Sequence, residues 1–280
     1  MPNRSPIGIF DSGLGGLTVF KEIRKILPGE DLIYFGDTAR VPYGNKSKET
    51  IIKYSKEISG FLIRKGVKII VIACNTSSSL AMDDLRREVK IPVFGVIEPG
   101  AKKAAAVSGG RTIAVIGTQA TIKSTAYSRA ILQEFKNRGL AFGKVIEKSC
   151  PLLVPIVEEG LGLGTGNGFG RDIAKRIVSY YLDPVKQENP YCLVLGCTHY
   201  PIIKDLIEGV VGKGMEIIDS GVEAALFIKN FLEKENMLKE GEVSGINQFF
   251  VSDDPGRFVE LGGKFLNMNI ENIGIISDFT

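Results

Sequence analysis

Tryptophan is absent from this chain of 280 residues, histidine occurs once and cysteine four times. Four cysteines are too sparse for a disulfide scaffold, and a reducing cytosol keeps them as thiols. One histidine and no C-x-x-C pair leave a zinc tetrahedron of Cys74, Cys197 and His199 without a fourth ligand, so no metal is expected. No segment approaches the roughly 18 consecutive apolar residues of a membrane span. The opening "MPNRSPIGIFDSG" also lacks a stretch long enough for a signal peptide, which points to a cytoplasmic protein. A net charge of +3 with no basic cluster interleaved with aromatics argues against a nucleic-acid surface, while mild basicity suits a small anionic substrate.

What is present is the composition of a globular enzyme, 44% hydrophobic and 24% charged, long enough for one large domain or two smaller ones. Short apolar runs ending in polar or glycine-containing residues ("IGIFDSG", "DLIYFGDT", "VKIIVIACNT", "IPVFGVIEPG") alternate with amphipathic segments such as "LTVFKEIRKILPG" and "KETIIKYSKEISGFLIRKG". That alternation predicts an α/β fold whose parallel sheets are covered on both faces. From Arg111 the pattern restarts with "RTIAVIGTQAT", "GKVIEKSCPLLVP", "YCLVLGCTHYP" and "MEIIDSG". The expected architecture is therefore two similar parallel-sheet domains related by pseudo-symmetry, with the active site in the cleft between them. Residues 1–98 plus 219–280 form the first and 99–218 the second, the tail completing the first without starting a third copy.

In each half the third strand ends in a small residue, a cysteine and a polar pair, "VIACNT" and "VLGCTH". Cys74 and Cys197 thus occupy matching places at carboxyl strand ends, where parallel α/β sheets bind ligands. Cys150 and Cys192 fit the ordinary role of a small buried hydrophobe. "DSGLGGLTV" has neither dinucleotide nor P-loop spacing, so its glycines read as a tight turn or a general anion site. Asp11 beside them either caps a helix or acts as an acid or base in the cleft. "GLGLGTGNGFG", spanning the glycine-rich 160–170 region, reads as a flexible loop or hinge. A Cys-His nucleophile is conceivable, but a hydrolase leaves the second matched thiol unexplained. Two thiols, one protonated and one not, suit the removal of a proton from one face of a carbon and its return on the other.

"GIFDSGLGGLTV", "YFGDTARVPYG", "ACNTSS", "CPLLVPIVEEG" and "GCTHYP" together resemble the glutamate racemases of the aspartate/glutamate racemase family. The resemblance implies an isomerase that interconverts L- and D-glutamate without pyridoxal phosphate or any other cofactor and supplies D-glutamate for peptidoglycan. It implies that Cys74 takes the α-proton of the D enantiomer, assisted by Asp11, and Cys197 that of the L enantiomer, assisted by His199. A catalytic glutamate follows "CPLLVP"; it maps to Glu158, with Glu159 beside it as the other choice. Substrate binding falls to Asp11-Ser12, Tyr43-Gly44, Asn75-Thr76 and Thr198-His199, although Ser12 and Thr76 also suit plain helix caps. A homodimer is the implied assembly. Aspartate as substrate, and a binding protein that no longer catalyses, are the competing readings.

Overall fold

Runs of β-branched and aromatic residues with every position buried form the centres of two parallel sheets. The computed structural model describes residues 4–141, 143–162, 168–241, 244–271 and 273–279. In chain order its strands are β1 (Ile7–Asp11), β2 (Leu32–Gly36), β3 (Ile69–Ile72), β4 (Val93–Gly95), β5 (Ile113–Gly117) and β6 (Val145–Ser149). They continue with β7 (Cys192–Gly196), β8 (Glu216–Asp219), β9 (Asn247–Val251) and β10 (Ile273–Ile275).

The chain divides into two units, Met1–Val96 with Gly221–Thr280, and Ile97–Ser220. The divisions fall after Val96 and after Ser220, where the sequence placed them after Glu98 and before Asp219. The cause is local. Ile97 already opens the helix Ile97–Ser108, whose Ala101, Ala104 and Ala105 pack into the second unit's core. Ser220 donates its hydroxyl back to the Leu195 carbonyl at 2.9 Å.

In the first unit the strand order is β10-β9-β2-β1-β3-β4, and in the second it is β6-β5-β7-β8. All described pairings are parallel. Written against each other, β2-β1-β3-β4 and β6-β5-β7-β8 are one arrangement used twice. The tail extends the first sheet, β9 pairing with β2 from Leu32 opposite Asn247 to Gly36 opposite Val251. In both sheets the first and third strands of the repeat lie side by side, Ile7 opposite Ile69 and Ile113 opposite Cys192. That is the place where strand order reverses and α/β folds bind ligands.

The helices follow from spacing and caps. Lys48–Arg64 begins where Ser47 accepts the Thr50 amide at 3.3 Å. It buries Ile51, Ser55, Ile58 and Leu62 along one face and stops at Gly66, whose φ of +76° suits glycine. Among the described residues no helix is long and apolar enough to cross a membrane.

One buried ion pair fastens the tail. Lys68, just ahead of β3, places Nζ 2.6 Å from Glu30 Oε2 and donates to the Met237 carbonyl at 2.6 Å, while Glu30 Oε1 accepts the Lys239 amide at 2.8 Å. Both side chains are buried. Lys68→Met leaves a buried carboxylate without its cation and should cost about 3–5 kcal/mol. Urea unfolding of that variant and of Lys68→Met/Glu30→Gln measures it; the double variant should recover part of the loss, because the uncompensated charge is gone.

Candidate active site

Each unit gathers its chemistry at the carboxyl ends of the two adjacent central strands. In the first unit Asp11 is the last residue of β1 and is fully buried. Its Oδ2 accepts the Gly13 amide at 2.9 Å, closing the turn through Ser12. Tyr34 Oη donates to the Gly13 carbonyl at 2.7 Å and holds the turn from the neighbouring strand. A Cβ on Gly16 would lie 2.4 Å from the Asp11 Cβ and 2.9 Å from Tyr34 Oη, so the glycine-rich stretch serves close approach to Asp11.

Cys74 follows β3 and caps the helix Asn75–Leu80, its Sγ accepting the Ser77 amide at 3.5 Å and lying 3.7 Å from Ser12 Oγ. Two expectations about caps are corrected here. The residue capping this helix is Cys74 itself rather than Thr76, and the helix after β1, Leu17–Ile26, is capped by Gly16 rather than by Asp11 or Ser12. Asn75 and Thr76 are buried beside the thiol.

Burial disfavours the thiolate of Cys74, the Asp11 charge adds to the effect, and hydrogen bonds from Ser77 and Ser12 oppose it. The balance pushes this thiol up to about 11. It holds its proton at neutral pH.

Tyr43 and Gly44 lie in the short 3-10 turn Tyr43–Asn45, and the Tyr43 ring is buried in the hydrophobic cluster that also contains Cys74. Its hydroxyl is bonded to Asp37 Oδ2. Asp37 also accepts Arg40 Nε at 2.7 Å and Ser252 Oγ at 2.8 Å. With the hydroxyl so committed, the part of Tyr43-Gly44 left to meet a ligand is its backbone.

In the second unit Cys197 follows β7 directly, and His199 turns back so that Nδ1 lies 3.8 Å from its sulfur. On the other side of the ring, Nε2 is 3.0 Å from Glu158 Oε1. Glu158 ends the helix Leu153–Glu158, whereas Glu159 is an exposed C-cap. Of the two glutamates considered, the structure brings Glu158 to the imidazole. Thr198 and His199 are both buried. The desolvation of His199 disfavours its cation, but hydrogen bonds to Cys197 and Glu158 and the charges on both outweigh it, pushing the imidazole up to about 10.

Register shows where the repeat departs from symmetry. Asp11 and Gly117 are the last residues of the corresponding strands β1 and β5. The carboxylate beside Cys74 therefore has no counterpart beside Cys197, which takes its help from His199 and Glu158.

Cys192 lies within β7 in the second unit's core. Cys150 is buried just past β6, with its carbonyl accepting Tyr200 Oη at 3.0 Å. Among the described residues no group of three or more His, Cys, Asp or Glu is placed to hold a metal ion. The centre of the glycine-rich stretch, 163–167, lies outside the described residues.

Two residues near the thiols escaped the sequence reading. Asp37 stands in the quoted "YFGDT" one residue beyond β2, the same kind of strand-end position as Asp11. Ser77 stands in "ACNTSS", three residues beyond Cys74, where the first helical turn returns to the cap.

The family model of Asp/Glu/hydantoin racemases matches residues 7–227. The chain is 44% identical over 271 residues to the glutamate racemase of Geobacter metallireducens, covering 97% of this chain and 96% of that one. It is similar to the crystal structure of glutamate racemase from Francisella tularensis in complex with D-glutamate, with a TM-score of 0.85 and 37% identity over 98% of each chain. A glutamate racemase isoform from Bacillus anthracis gives a TM-score of 0.89 at 33% identity, also over 98% of each chain.

The imidazole sets a dependence of stability on pH. A group whose folded-state pKa is raised contributes its stability in full below the unfolded value and loses it as pH rises through the folded one. For His199 that window runs from 6.5 to about 10, and no second histidine titrates in it. The urea midpoint should fall between pH 6.5 and 9, and His199→Gln should flatten the fall. Above 9 the buried thiols of Cys74, Cys150 and Cys192, pushed up from 9.0 to about 11, 12 and 12, add a decline of the same sign. A midpoint level from 6.5 to 9 in the unsubstituted chain would show that His199 is not held as a cation.

Proposed function

The chain belongs to the Asp/Glu/hydantoin racemase family, and on that basis we propose that it interconverts L- and D-glutamate without a cofactor, Cys74 and Cys197 serving as the two bases. The choice of glutamate rests on relatives of that activity matching nearly the whole chain. The reaction breaks one bond, between the α-carbon and its hydrogen, and remakes it on the opposite face. From L-glutamate, the Cys197 thiolate takes the proton while the Cys74 thiol delivers its own. From D-glutamate the two exchange roles.

The observation that carries this reading is the unlike surroundings of two matched thiols. Cys74, pushed up to about 11 beside Asp11, is suited to hold a proton. Cys197 lies beside an imidazole pushed up to about 10, a cation able to stabilise a thiolate. A free enzyme in that state is ready for L-glutamate, and one turnover leaves it ready for D-glutamate. Glu158 fixes the orientation of His199 and stabilises its charge, as a carboxylate does for a catalytic imidazole. Asp11 assists Cys74 and orients the substrate ammonium.

The substrate has two carboxylates to hold. Ser12, the backbone of Tyr43-Gly44, Asn75-Thr76 and Thr198 supply hydroxyl, amide and N–H donors for them in charge-assisted hydrogen bonds. Donors fixed in a water-poor environment also stabilise the charge that develops when the weakly acidic α-proton leaves. The D-glutamate formed serves peptidoglycan synthesis, and the enzyme works in the cytoplasm as a homodimer.

Circular dichroism of L-glutamate with purified protein and no pyridoxal phosphate tests the activity: the signal should decay to zero. Cys74→Ala and Cys197→Ala should each lower kcat by about 10²–10⁴-fold with the far-ultraviolet spectrum of the protein unchanged. Undiminished racemisation by either variant would remove the two-thiol assignment. A constant glutamate signal from folded protein, with decay of aspartate instead, would move the substrate to the shorter acid.

A further inference from the structure

The helix after β3 carries a run of hydroxyl side chains, Thr76, Ser77, Ser78 and Ser79, and all but Ser79 are buried. Serine favours turns and caps over helix interiors because it bonds nearby backbone. Two of the serines do so: Ser78 Oγ donates to the Ile72 carbonyl at 2.9 Å, and Ser79 Oγ to the Thr76 carbonyl at 2.8 Å. Ser77 differs. It is fully buried, and its hydroxyl finds no hydrogen-bond acceptor among the described residues, although it stands near enough to the Cys74 sulfur to favour the thiolate there.

A buried hydroxyl without a partner costs about 1–3 kcal/mol, so alanine in its place would favour the folded chain unless some state of the protein supplies an acceptor. The same residue already directs its amide at the Cys74 sulfur, 3.5 Å away. A thiol is a weak acceptor, whereas a thiolate is a strong one. We propose that Ser77 is a positioning residue for Cys74, its amide and hydroxyl together donating to the sulfur whenever it becomes a thiolate.

The matching place beside the other thiol is filled differently. The residue three beyond Cys197 is Tyr200, whose amide bonds the Cys197 carbonyl at 3.2 Å and whose hydroxyl is committed to the Cys150 carbonyl at 3.0 Å. His199 supplies the stabilisation there instead. At Cys74, burial and the Asp11 charge both oppose the thiolate, and the hydrogen bonds of Ser77 and Ser12 work against them. Ser77 thereby offsets part of the cost of the Cys74 thiolate, the form that the proposed reaction needs from D-glutamate.

The catalytic part of this proposal rests on the two-thiol reading above; the bond between Ser77 and Cys74 does not. The test is alkylation of the full-length protein by iodoacetamide between pH 7 and 12, with the Cys74 peptide followed by mass spectrometry. The midpoint of the rate against pH reports the thiolate, and limited access to a buried sulfur scales every point alike.

Ser77→Ala should move the midpoint upward and slow alkylation at pH 8 about tenfold, at a melting temperature no lower than that of the unsubstituted protein. Ser77→Thr, which keeps the hydroxyl, should restore the midpoint. In racemisation Ser77→Ala should lower kcat and leave KM in place. A midpoint for Ser77→Ala that coincides with that of the unsubstituted protein overturns the proposal, whatever the activity. A shifted midpoint in a protein that never racemises glutamate overturns the catalytic role and leaves the bond to the sulfur established.

Discussion

Burial of a sulfur at the end of a parallel strand is the constraint on which this site turns. Removed from water, a thiol holds its proton more tightly, yet a base must release and regain one near neutral pH. The polar groups around the two cysteines, the Asp11 carboxylate excepted, can be read as an answer to that conflict. At Cys74 the answer consists of neutral hydrogen-bonding groups, the Ser77 amide and the Ser12 hydroxyl, working against a nearby carboxylate. At Cys197 it is an imidazole backed by Glu158. Neutral dipoles leave Cys74 protonated, whereas the neighbour of Cys197 is an imidazole pushed up to about 10. Two sulfurs in matching places thereby have unlike neighbours.

That difference depends on a repeat that is faithful in backbone and unfaithful in side chains. The order β2-β1-β3-β4 recurs as β6-β5-β7-β8, and the thiol follows the third strand of each. Asp11 ends β1 where Gly117 ends β5. A fold used twice can deliver two thiols in matching places, but the inversion proposed for them needs them in different states. The asymmetry therefore lies in the few residues beside each sulfur, while the sheets that carry them remain alike.

The polar network beneath the first site shows how such geometry is kept. Asp37 gathers Tyr43, Arg40 and Ser252, and Ser252 stands just past β9, a strand the tail adds to the sheet. Farther down, Lys68 and Glu30 tie Met237 and Lys239 to the same sheet. Residues more than 200 positions apart in the chain thus share hydrogen bonds through Asp37. Such networks hold their members in one arrangement only while every member is paired.

Much of this could be read in the chain itself. Alternating apolar runs and amphipathic segments determined the parallel sheets, because local spacing records which faces are buried. The two cysteines declared themselves by lying beyond the apolar run in both halves, and the motifs around them pointed to the family. Other features required the folded protein. Whether Glu158 or Glu159 meets His199 depends on how the helix Leu153–Glu158 ends, since adjacent residues on a helix face different ways. The helix caps went to Gly16 and Cys74 because the chain leaves its strands at angles that spacing does not record. The importance of Asp37 and Ser77 was hidden for a related reason: a side chain's partners are set by which elements pack around it. Sequence by itself determined the sheets, the repeat and the two sulfurs, and tertiary structure decided which neighbours set their proton affinities, because the electrostatics of a buried thiol depends on distances that only packing creates.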